Sequence, residues 1–84
     1  MRISLTLYFR QGCHLCEDMA THLQALQSEL DFEIKPVDID LDDRLRARYH
    51  SAVPVLMLET EELCRYFMDE VAVRQALAAE LLDV

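Results

Sequence analysis

Eighty-four residues, 52% hydrophobic and 29% charged, predict one globular domain, too short for a second core and too apolar for a disordered chain. The net charge of −8 argues against nucleic acid or an anionic membrane surface as partner, because both demand a positive patch. The longest nearly apolar run, residues 52–58, contains Pro54 and falls far short of the ~20 residues that span a bilayer; no signal-peptide pattern opens the chain, so a cytoplasmic location is expected.

Ile3, Leu5, Leu7 and Phe9 alternate with polar neighbours, which predicts a half-buried strand over residues 3–9. Arg10, Gln11 and Gly12 break the pattern; Gly12, the chain's single glycine, permits a tight turn into a helix from about Cys13 to Leu30. Leu15, Met19, Leu23, Leu26 and Leu30 supply its apolar stripe, and Glu17 and Asp18 favour the positive end of its dipole. A second strand follows over residues 32–39, where Pro36 shifts the alternation and so predicts a bulge or an edge strand. Asp40, Asp42 and Asp43 are helix starters for a short helix to about Tyr49, with Leu41, Leu45 and Tyr49 on one stripe. His50 to Val53 form a loop into Pro54, and Val55 to Leu58 read as a strand buried on both faces. Glu59 to Glu62 are expected to turn, Leu63 to Phe67 to form a hairpin strand, and Asp69 to cap a last helix carrying Val73, Leu77 and Leu81. The expected product is an α/β fold, β-α-β-α-β-β-α, with a mixed four-stranded sheet and a right-handed first crossover.

Chemistry concentrates where the first strand gives way to the first helix. Cys13 and Cys16 are three residues apart, so their sulfurs share one side of the helix. A helix start offers unpaired N–H groups and partial positive charge, which stabilise a thiolate at Cys13. The spacing lets Cys16 close a reversible disulfide with it, the basis of thiol–disulfide exchange. The rival readings of the pair are buried structural thiols or half a metal site. A closed zinc site needs four ligands, and Cys64 with His14, His22 or His50 would complete one only by accident of folding. A haem signature fails because Glu17, not histidine, follows Cys16, and the loops of phosphatases and arsenate reductases fail because Met19 stands where their arginine belongs. Val53-Pro54, directly before a strand, suits a cis peptide whose free backbone pairs with an extended thiol substrate.

Cys64 reads as a packed thiol and His22 as a boundary residue, while His14 either stabilises the Cys13 thiolate or is an exposed helix-start residue. Arg44, Arg46 and Arg48 read as a solvated face with local pairs such as Asp40 with Arg44.

Cys13-His14-Leu15-Cys16, Val53-Pro54 and the order of elements together resemble a glutaredoxin-like member of the thioredoxin superfamily, over essentially the whole chain. The resemblance implies the thioredoxin fold, a nucleophilic Cys13, a resolving Cys16 and a cis Pro54. Thioredoxins proper place a tryptophan before the first cysteine and an acid in the preceding strand; this chain has neither, which favours the glutaredoxin branch. Against the glutaredoxin pattern, His14-Leu15 replaces Pro-Tyr, Ala52 replaces a threonine, and Tyr66 and Phe67 fall where a Gly-Gly pair belongs. Aromatics there crowd glutathione, whereas Arg10 matches a basic position that holds a glutathione carboxylate. The implied substrate contacts are Arg10, His14, Val53, Pro54 and Asp69, with no metal and no required cofactor. The implied partners are a protein disulfide or a glutathione mixed disulfide, and an external reductant. The alternative function is a redox-inert adaptor, or an iron–sulfur carrier using Cys13.

Overall fold

The computed structural model describes residues 3–82, with the backbone alone described for residues 81 and 82. The chain runs β1 (Ile3–Phe9), α1 (His14–Gln27), β2 (Phe32–Asp38), a 3₁₀ turn (Ile39–Leu41), α2 (Asp43–Tyr49), β3 (Val55–Leu58), β4 (Glu61–Arg65) and α3 (Glu70–Leu82). The sheet order is β2-β1-β3-β4, with β1 parallel to β2 and antiparallel to β3, and β3 antiparallel to β4. The expected α/β thioredoxin-like architecture is therefore present, element for element.

Two apolar clusters lie on the sheet. The larger one joins Leu5, Leu7, Phe32, Leu56 and Leu58 to Met19, Leu23 and Leu26 of α1 and to Val73 and Leu77 of α3. The smaller one joins Val55 and Met57 to Ile39, Tyr49, Val53 and Cys16. β3 alternates between them, so all four of its residues are buried, as its unbroken apolar run predicts. The ring of Tyr8 stacks on that of Tyr49 with centroids 4.6 Å apart, which seats α2 against β1.

Several expected boundaries move. α1 ends at Gln27, and Leu30 packs on the core from the loop that follows. Its buried stripe is Cys16, Met19, Leu23 and Leu26, so Cys16, rather than the half-buried Leu15, starts the core face. β2 pairs with β1 through seven unbroken positions, so Pro36 marks an edge strand and not a bulge; the sheet's irregularity lies between Leu56 and Met57. An edge strand tolerates proline because one side of its backbone needs no sheet partner. Leu41 sits in the 3₁₀ turn and is 85% exposed, off the stripe that Leu45 and Tyr49 make. β4 begins at Glu61 rather than Leu63, because an edge strand leaves its charged side chains in water; the turn is Glu59-Thr60, with Glu59 at φ 55°. Leu81's expected core role lies outside the described side chains. Among the described residues no helix is long and apolar enough to cross a membrane.

An ionic clasp fastens α1 to α3. His22 Nε2 lies 2.7 Å from Glu70 Oε1, Arg74 Nε donates to Glu70 Oε2 at 2.8 Å, and the Arg74 guanidinium grips both Glu29 oxygens at 3.2 and 2.6 Å. His22, expected at a boundary, is thus a link between helices. Bonding to His22 and then to Arg74 holds the Glu70 carboxyl below its usual range, and Arg74 does the same for Glu29. A depressed carboxyl pKa stabilises the fold above the unfolded value and loses that contribution as pH falls through the folded value. The contribution of these two carboxylates to thermal stability is therefore expected to be level above about pH 5 and to fall below about pH 4. Glu70→Gln should flatten that fall in melting curves, and an identical acid slope in this variant would show that the clasp does not set it. The groups are solvent-exposed, so added salt should shrink the effect.

Candidate functional site

β1 ends at Phe9, and three residues carry the chain to Cys13. Gly12 takes φ +74°, a left-handed conformation in which a side chain is strained; no atom lies within 4 Å of where its Cβ would stand, so backbone angle alone demands glycine. Cys13 then caps α1. Its Sγ accepts a hydrogen bond from the Cys16 N–H at 3.1 Å, and its carbonyl accepts from the Glu17 N–H at 3.0 Å. A sulfur thus takes the place that a serine or aspartate oxygen usually fills at a helix start. Cys13 is half-buried and Cys16 is 3% exposed. The two are joined as a disulfide with Cα atoms 5.2 Å apart, inside the range such a bond spans.

β3 brings the second part of the site. Tyr8 pairs with Val55 across the sheet, so Pro54 lies one step further, level with the end of β1. The Val53–Pro54 bond is cis. Cys13 and Ala52 pack on the cluster that contains both Val53 and Cys16, which puts the dithiol and this loop side by side. The ladder between β1 and β3 stops at Val55, and among the described residues no turn or cap bond takes up the backbone of Val53.

On the other side of Pro54, its carbonyl accepts from the Tyr66 N–H at 2.8 Å. Tyr66 has φ 67°, and the Phe67 N–H returns to the Arg65 carbonyl at 2.7 Å, a three-residue turn around Tyr66. The left-handed backbone expected of a glycine is thus held by a tyrosine, at the position where the sequence comparison with glutaredoxins placed one.

Arg10 and Asp69 have other partners. Arg10 Nε donates to Asp40 Oδ2 at 3.1 Å and its Nη1 to the His50 carbonyl at 3.3 Å, so the guanidinium braces the loop that leads to Pro54. Asp40, expected to pair with Arg44, is paired with Arg10 instead, while Arg46 pairs with Asp43. Asp69 caps α3, its carboxylate accepting from the Ala72 N–H at 3.0 Å. His14 is exposed, 3.7 Å from Glu17 at the mouth of the site. Cys64 is a half-buried thiol whose pKa burial pushes up, against a hydrogen bond from the Asp69 backbone that lowers it. Burial thus disfavours its thiolate. Among the described residues no three His, Cys, Asp or Glu side chains gather to hold a metal.

Beside the dithiol, a cavity of about 220 Å³ opens between α1, β1 and β2, with Leu7, Phe9 and Cys16 in its wall and Arg10 and Glu17 at its polar side. The sequence did not point to it, because Pro36, which also lines it, comes from the edge strand.

The profile described as Glutaredoxin-like domain (DUF836) matches residues 4–78. An uncharacterized protein of Mycobacterium tuberculosis is 32% identical over 82 residues, covering 92% of this chain and 84% of its own. A Nitrosomonas europaea protein solved by solution NMR superposes with a TM-score of 0.80 at 38% identity, over 90% of this chain and 92% of that one. A Xanthomonas protein (X. campestris) gives 0.71 at 33% identity, over 89% and 96%. Thioredoxin from Fasciola hepatica gives 0.60 at 26% identity, over 93% and 80%.

Proposed function

This chain belongs to the glutaredoxin-like domain family (DUF836), and from that membership we propose that it is a small thiol–disulfide oxidoreductase working by dithiol exchange through Cys13 and Cys16. The observation that carries the reading is the backbone N–H of Cys16 directed at the sulfur of a half-buried Cys13, with the sheltered Cys16 sulfur in disulfide reach.

In the first step the Cys13 thiolate, favoured by the helix start, attacks one sulfur of a substrate disulfide. A Cys13–substrate disulfide forms, and the other substrate sulfur leaves as a thiolate that takes a proton from water. Cys16 then loses its proton to solvent and attacks the Cys13 sulfur. The Cys13–Cys16 disulfide forms and the remaining substrate sulfur leaves. Two electrons have passed from the protein to the substrate, and an external thiol reductant restores the dithiol. No resident cofactor is needed, since the two sulfurs hold both electrons. The uncommitted backbone of Val53 is the place for an extended substrate to pair as a strand, with Pro54 shaping the approach. The substrate is a protein disulfide or a glutathione mixed disulfide in a reducing compartment. Arg10 is occupied by Asp40 and His50 and so contributes through the loop it braces.

Equilibration in dithiothreitol redox buffers, followed by alkylation and mass measurement, tests the reading. A single two-electron transition confined to Cys13 and Cys16 is expected, with Cys64 recovered as a reduced thiol at every potential. A pair that stays reduced across the whole range would discard the dithiol mechanism and leave a redox-inert adaptor.

A further inference from the structure

Arg10, Asp40 and the His50 carbonyl meet from three separate segments: the turn after β1, the 3₁₀ turn before α2, and the end of α2. In the acidic run from Asp38 to Asp43 the other carboxylates serve their own segment. Asp38 accepts from the Asp40 N–H at 3.0 Å, Asp42 accepts from the Arg44 N–H at 2.8 Å, and Asp43 pairs with Arg46. Asp40 instead reaches Arg10, thirty positions away in sequence. Each of the three meeting groups directly follows a residue that packs in the smaller apolar cluster: Phe9 precedes Arg10, Ile39 precedes Asp40, and Tyr49 precedes His50. The same cluster carries Cys13, Cys16 and Val53. Arg10 lies three residues before Cys13, and His50 lies three residues before Val53. The polar brace thus sits on the rim of the cluster in which both arms of the site are seated.

A solvent-touched ion pair adds little to stability, so the worth of this one lies in what it joins. Gln11 and Gly12 are exposed and, with Arg10, border the cavity of about 220 Å³, so the stretch between Arg10 and Cys13 has open space on one flank. Packing holds that stretch weakly, and the brace holds it from the other end. A guanidinium donates from a rigid planar fork, so Nε on Asp40 and Nη1 on the His50 carbonyl fix the turn after β1 against the end of α2. We infer that Asp40 is a positioning residue for the dithiol reaction: through Arg10 it sets the spacing between Cys13 and the Val53 backbone on which an extended substrate pairs. The inference rests on the dithiol reading and adds a residue to its site. It gives Arg10 and Asp40 one role for every substrate, because a guanidinium held by a carboxylate is neutralised and does not select for a substrate's carboxylates.

Two mixed disulfides of 2-mercaptoethanol test the brace, one with glutathione and one with an uncharged, end-capped cysteine peptide. The readout is the second-order rate of single-turnover oxidation of the prereduced protein. Asp40→Ala and Arg10→Gln should each slow both substrates about tenfold, the scale of loss that slight misplacement brings. The double variant should stay within about twofold of the slower single one, because a single unit is broken. Alkylation of Cys13 by iodoacetamide, which makes no use of the Val53 backbone, should change by less than about twofold in Asp40→Ala, and the melting temperature by less than about 4 °C. A loss that moves rate, alkylation and melting together would mark a structural role only and overturn the inference. In amide exchange, the Ala52 N–H, which is bonded to the Tyr49 carbonyl, should exchange about tenfold faster in Asp40→Ala, with the amide of buried Leu23 within about twofold of its natural rate. If Arg10→Gln slows only the glutathione substrate and Asp40→Ala speeds it, Arg10 is a carboxylate-binding group and the inference is overturned. Unchanged rates and unchanged Ala52 exchange in Asp40→Ala would overturn it as well, and leave the dithiol reading standing. No turnover by the natural protein, together with faster Ala52 exchange in Asp40→Ala, would sink the dithiol reading and keep the brace.

Discussion

Cys13→Ser is expected to lower the rate of disulfide reduction by at least about a thousandfold, because a serine hydroxyl is protonated at neutral pH and Cys16, the other sulfur in the first turn of α1, is buried at 3% exposure. Cys16→Ser should differ in kind. It keeps the attacking sulfur and loses the resolving one, so it should accumulate a mixed disulfide on Cys13 from which the partner can be identified by mass. Alkylation separates the thiols without any substrate. With Cys16 replaced, Cys13 should react with iodoacetamide at pH 7 about tenfold faster than Cys64, since the Cys16-position N–H favours one thiolate and burial disfavours the other. Undiminished activity in Cys13→Ser, or equal alkylation of Cys13 and Cys64, would end the proposal.

Phe32→Ala should be the most damaging single change to stability. Phe32 is 0% exposed, begins β2, and packs in the larger cluster with α1 and α3, while its carbonyl accepts from the Gln27 side-chain amide at 3.0 Å. Emptying such a site costs about 3–5 kcal/mol. A chain of this length holds roughly 4–13 kcal/mol in total. The urea midpoint should therefore fall by at least about a quarter, or the variant should be unfolded in buffer. Phe67→Ala is the matched control. It removes the same side chain from a site that is 70% exposed, and should move stability by less than about 0.5 kcal/mol. Equal losses in the two variants would contradict the burial pattern.

The order of elements was legible because each alternates or repeats with its own period: residues 3–9 with period two, the α1 face at intervals of three and four, and β3 as an unbroken apolar run. Gly12 before Cys13 was legible for the same local reason, since only one residue type suits that turn. Errors fell where long-range partners decide. Nothing near Arg10 in the sequence announces Asp40, thirty residues away, so its engagement emerged only with the fold. Leu41 looked like a core residue by spacing, yet the 3₁₀ turn rotates it into water. Leu63 to Phe67 looked like the fourth strand by apolarity, whereas hairpin register places it two residues earlier and frees Tyr66 and Phe67 for the surface beside Pro54. The misplaced strand thus has a simple cause: the apolar residues that resembled a core lie where the chain leaves the sheet.

The borders of the sheet have a consequence for how the protein behaves when crowded. On one side β2 offers Glu33, Lys35 and Pro36 to water, and on the other β4 offers Glu61, Glu62 and Arg65. A border that lacks one donor and carries charge at alternate steps is a poor template for a neighbour's backbone. Growth of fibrils by stacking sheet on sheet edge is thereby discouraged in a molecule that still shows aromatic rings to its surroundings.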